Sequence, residues 1–186
     1  MSGDLKLALL RVVPFLLVIM VVIIRTRQGD INPDDLFLNK PVSNSRFLAC
    51  VAGFTSYVLL VEFVLYQMGM LEINPWNHPM ASSFIRILGA VILAPITEEL
   101  IFRGLLLMVL TKKLSRHISI LIQALIFVLL HNFAYENTMT ANIGIVQSFI
   151  DACLFGYAKY YTRSIYTSMA MHSIGNLVAT LERFIL

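Results

Sequence analysis

The chain has 186 residues, 58% hydrophobic and 13% charged, with a mean hydropathy of +0.79. Soluble domains carry about 25% charged residues, so a soluble globular domain is excluded. The net charge of +3 does not indicate a nucleic-acid partner, because basic residues in so apolar a chain mainly mark cytoplasmic loops. Cys50 and Cys153 both fall in apolar runs, with no CxxC or Cys/His cluster to suggest a disulfide framework or structural zinc.

The apolar runs are long and continuous. A membrane barrel would instead show alternating segments of ~10 residues, so an all-α, polytopic transmembrane bundle in the lipid bilayer is expected. Six spans are predicted, at roughly 5–24, 47–70, 84–110, 117–135, 141–160 and 164–185. Arg25-Thr26-Arg27 follows the first apolar core in place of a small-residue cleavage site, so this helix is expected to be retained. Loop one holds Asn32-Pro33-Asp34-Asp35 and Lys40-Pro41, and loop two holds Asn74-Pro75-Trp76, all turn and breaker signals. Loops one, three and five carry Arg25, Arg27, Lys40, Arg46, Lys112, Lys113, Arg116, Lys159 and Arg163, whereas loops two and four carry no Lys or Arg. The first set is therefore expected on the cytoplasmic face.

Within the third span, Glu98-Glu99-Leu100-Ile101-Phe102-Arg103-Gly104 places two carboxylates and a guanidinium in an oily run. Glu99 and Arg103 stand four apart with the acid first, the favourable order for an ion pair on one helical face. An intramembrane Arg needs such a partner. Glu98 is left without a partner in its own helix, and an acid so placed is suited to proton exchange. Pro95, three residues earlier, is expected to kink the helix beside it. A structural ion cluster joining helices is the competing reading of these three residues.

Two further spans carry polar groups. Phe127-x3-His131 is followed by Asn132, and His172-Ser173-Ile174-Gly175-Asn176 puts His172 and Asn176 on one face. At ~1.5 Å rise per residue, Glu98 lies about 18 Å from Leu110, His131 about 21 Å from His117, and His172 and Asn176 about 12 and 18 Å from Ser164. The four groups are thus able to meet at one depth.

The three motifs in this order, Glu98-Glu99-x3-Arg103, Phe127-x3-His131 and His172-x3-Asn176, resemble the CPBP family. That family includes the CAAX prenyl protease 2 enzymes and bacterial relatives linked to bacteriocin processing and self-immunity. The resemblance covers residues 84–180. It implies a four-helix catalytic core over residues 81–186, preceded in 1–80 by two N-terminal helices with their loops, in one structural domain overall. It further implies an intramembrane glutamic endopeptidase acting on a membrane-associated peptide or protein. Glu98 and His131 would activate water, His172 and Asn176 would stabilise the oxyanion, and Glu99 would pair with Arg103. No cofactor is expected. A zinc ion on Glu98, His131 and His172 is the competing chemistry. Asn132 and Asp151 are candidates to support the site from behind, while Glu62 and Glu182 are read as packing groups. The small chain is read as a multi-pass protein of a bacterial cytoplasmic membrane. The alternative function is a non-catalytic scaffold or bacteriocin-immunity protein that binds a peptide or partner in the same cavity.

Overall fold

The computed structural model describes residues 3–71, 73–132 and 138–185. Among them the chain forms six helices: α1 (Gly3–Arg27), α2 (Asn44–Gln67), α3 (Met80–Thr111), α4 (Arg116–Asn132), α5 (Met139–Thr162) and α6 (Ile165–Ile185). No strand occurs among these residues. Among the described residues four helices, α1, α2, α3 and α5, are long and apolar enough to cross a membrane. The chain is an all-α, polytopic bundle, as its composition requires.

Local chemistry sets the helix ends. Ser43 caps α2 by accepting from Arg46 N, and Thr138 caps α5 by accepting from Ala141 N. After α1 and α2 the chain leaves through left-handed Gly29 (φ 83°) and Gly69 (φ 65°). Asp30 N then bonds Arg25 O, and Met70 N bonds Leu65 O. These bonds satisfy terminal carbonyls that the helices leave open.

Helices α3 to α6 pack on one another, with α1 against α3 and α2 against α6 and α5. Phe102, Ala124, Phe127, Val128 and Ala152 fill the space between α3, α4 and α5. Phe54, Val58, Phe155, Ala158 and Met171 join α2 to α5 and α6. The outer faces of α1 and α2 expose Leu10, Leu17, Val21, Leu60 and Phe63, as expected of helices bathed in lipid.

The loops sort to two ends. Loop one is strapped to the α5–α6 turn: Val42 N bonds Thr162 O, Ile165 N bonds Phe37 O, and Ser164 Oγ bonds Asn39 O. At the other end, Trp76 N bonds Arg183 O, Arg183 Nε bonds Asn74 O, and Arg86 pairs with Asp4 at 2.7 Å. One basic residue departs from the loop reading. Lys159 is buried, and its Nζ bonds Arg103 O while facing the Phe37 ring. It is a packing group of α5 and not a solvated loop cation.

Candidate active site

The site is organised by α3, which runs unbroken through Pro95 by changing its hydrogen-bond register. Residues Gly89–Leu93 and Leu100–Leu106 are π-helical, with α-helical Ala94–Glu99 between them. Ala94 N bonds Gly89 O, an i→i−5 bond. Carried one residue further, that register meets Pro95, which has no N–H, and leaves Ala90 O without its backbone donor. Asn176 of α6 supplies one, Nδ2 donating to Ala90 O at 2.8 Å. The second π segment is braced likewise, by Lys159 of α5 on Arg103 O. The turn that presents Glu98 and Glu99 is thus held at both ends by side chains of neighbouring helices. Single π turns inside α-helices recur at functional sites.

Glu99 and Arg103 form the expected pair, Oε1 to Nη1 at 2.9 Å, with both side chains fully buried. Arg103 lies over the rings of Phe127 (4.8 Å) and Phe155 (5.1 Å), and its Nη2 donates to Ala152 O at 3.3 Å. Gln123 donates to the same carbonyl at 3.1 Å. The pair has a third member that helix spacing does not reveal: His172 Nδ1 contacts Glu99 Oε1 at 2.8 Å. The His172 ring stacks on Phe155 at 5.1 Å and 22°.

Glu98 points elsewhere, as residues about 100° apart on a helix must. Its Oε2 lies 3.8 Å from His131 Nε2 and 3.7 Å from His172 Nε2. These distances exceed a direct hydrogen bond and suit a bridging water. The partners fix the imidazole tautomers. His131 Nδ1 is 2.7 Å from Phe127 O, and His172 Nδ1 faces a carboxylate already committed to Arg103. Both oxygens only accept, so both Nδ1 atoms carry hydrogen. In the neutral rings, both Nε2 lone pairs therefore face the Glu98 carboxylate. Three acceptors converging on one space form a receptacle for a group with hydrogens to give.

The other sequence-predicted residues fall around this centre. Asn176 shares a face with His172, but its amide is committed to Ala90 O through one donor contact. Asp151 interacts with the Tyr57 hydroxyl of α2 and with His172. The side chain of Asn132 lies outside the described residues. Helix α4 is described over Arg116–Asn132, and residues 133–135 of the expected span lie outside the described residues. The His131 side chain is 38% exposed. Gln123 and Lys159 escaped the sequence reading: Gln123 lacks a charged or titratable signature, and Lys159 lies close to a basic loop. Among the described residues, no three His, Cys, Asp or Glu side chains are arranged to hold a metal ion.

A family model described as type II CAAX prenyl endopeptidase Rce1-like matches residues 80–178, more than half of the chain, and takes in Glu98, Glu99, Arg103, His131, His172 and Asn176. The chain belongs to the Rce1-like family. That family is generally one of proteases, and with four helices suited to crossing a membrane this Rce1-like chain is an integral membrane protein. No curated protein and no solved structure matches it.

Proposed function

We propose that the chain is an intramembrane endopeptidase that hydrolyses a peptide bond in a membrane-associated protein or peptide, with Glu98 as the base. The observation that carries this reading is the position of Glu98 Oε2 between two imidazole nitrogens, each ring anchored through its far nitrogen. A water held between Glu98 and His131 gives one hydrogen to the carboxylate and one to Nε2, which leaves its lone pairs free to attack a carbonyl carbon. As the C–O bond forms, the water's proton passes to Glu98. The second amide hydrogen of Asn176 supports the oxyanion, and so does His172 when Nε2 also carries hydrogen. Donors preorganised for developing charge are each worth about 10²–10³ in rate. The proton on Glu98 then goes to the departing nitrogen as the C–N bond breaks, giving a carboxylic acid and an amine. Glu99 and Arg103 stay charged and hold His172 in place. In this reading residues 81–186 are the catalytic core, and α1 and α2 support it. The chemistry needs no metal.

The test is cleavage of a membrane-peptide library by the purified protein, with and without chelator. Glu98→Gln and His131→Ala are expected to lose about 10²–10⁴ in rate, the range for general base catalysis, with folding intact and chelator without effect. Chelator-sensitive cleavage would move water activation to a metal on Glu98, His131 and His172. Full cleavage by Glu98→Gln would remove Glu98 as the base, and no cleavage by the wild type or any variant would leave the scaffold reading.

A further inference from the structure

Hydrolysis inside a bundle consumes water, and the apolar outer faces of these helices cannot deliver it. Towards the loop-two end lies a cavity of about 670 Å³ lined by Glu62, Gln147, Glu182, Asn74 and Arg183. From its inner wall a row of polar groups runs along α5 and the antiparallel α2. Gln147 Nε2 donates to Glu62 Oε1 at 2.9 Å. One turn on, about 6 Å by helical rise, Asp151 faces Tyr57 and interacts with His172. Two carboxylate oxygens of this row, Glu62 Oε2 and Asp151 Oδ1, are buried and receive no hydrogen bond from the described residues. Buried acceptors without protein partners, beside a polar space of this size, are the setting in which ordered water binds.

We propose that Glu62, Gln147, Asp151 and Tyr57 form a water path from this cavity to His172, and so feed the hydrolytic site from the loop-two face. The functional meaning rests on the peptidase reading; the path itself does not. Water donates to Glu62 Oε2 and Asp151 Oδ1, and Gln147 and Tyr57 complete its partners. The row also accounts for polar groups that a purely packing role leaves unsatisfied. Gly144 lines the cavity, and a Cβ added there meets nothing within 4 Å. A side chain at this position therefore starts into open space at the cavity wall.

The test measures water access directly. Gln147→Cys, in a Cys50→Ser/Cys153→Ser background, is exposed to a charged, membrane-impermeant thiol reagent from one face of sealed vesicles at a time. Leu60→Cys serves as the lipid-facing reference, since Leu60 is an exposed apolar residue on the outer face of α2. Labelling of Gln147→Cys from the loop-two face is expected to be at least ~10-fold faster than that of the reference, as for a site on ordered water. Gly144→Leu is expected to abolish that difference and to lower kcat with KM unchanged. Equal labelling at both positions, labelling only from the opposite face, or no effect of Gly144→Leu on either readout would overturn the path. Fast labelling with no cleavage by any variant would retain the path and overturn the peptidase.

Discussion

Asn176 donates to the Ala90 carbonyl at 2.8 Å at the point where Pro95 withholds a backbone N–H. A helix-breaking residue and an asparagine from another helix thus form one unit, which lets α3 pass Pro95 without ending. Asn176→Leu leaves a carbonyl of a membrane-spanning helix without a donor, at a cost of up to about 1–3 kcal/mol. In a Pro95→Ala background an N–H is available again, so the same substitution is expected to cost less. The double-mutant cycle, read by denaturation in micelles, should show positive coupling. Additive effects would separate the two residues.

Glu99 serves two partners. Its Oε1 lies 2.9 Å from Arg103 Nη1 and 2.8 Å from His172 Nδ1. Glu99→Gln leaves a fully buried guanidinium uncompensated, with an expected destabilisation of about 3–5 kcal/mol. Glu99→Leu/Arg103→Met removes both charges and is expected to recover most of that stability. Cleavage should not recover with it, because His172 has lost its anchor. Parallel recovery of stability and activity would make Glu99 purely structural.

Helices α4 and α5 touch closely at Gly156, where an added Cβ would sit 3.0 Å from Ile120 Cγ2. Gly156→Val pushes these helices apart and shifts α4, which carries His131. The expected destabilisation is about 1–3 kcal/mol, as for overpacked cores, with a fall in kcat. Ile120→Ala in the same chain makes room and should restore part of both, measured by melting in micelles and by cleavage rate.

The straps between loop one and the α5–α6 turn place Lys40 and Arg46 at the same end as Arg163. Reporter fusions or thiol accessibility should put loops one, three and five on one face and loops two and four on the other. Lys159→Gln should leave that arrangement unchanged, since Lys159 is buried on Arg103 O. It should instead lower stability by about 1.5–3 kcal/mol, the value of a hydrogen bond from a charged donor.

Sequence alone determined the helices and the identity of the charged pair. Membrane spans follow from length and hydropathy, and Glu99–Arg103 follows from i,i+4 spacing, because both are local properties of one segment. The motifs on α3, α4 and α6 also marked Glu98, His131 and His172 before any contact was visible. Tertiary structure decided the rest. That Glu98 Oε2 stands 3.7–3.8 Å from two imidazoles, and that His172 joins Glu99, depends on how three helices cross. Beside Pro95 the helix changes its hydrogen-bond register, and Asn176 on a distant segment takes Ala90 O. The burial of Lys159, near a loop in sequence and inside the bundle in space, had the same cause. A side chain's partner across a helix interface is set by packing, and no periodicity within one segment records it.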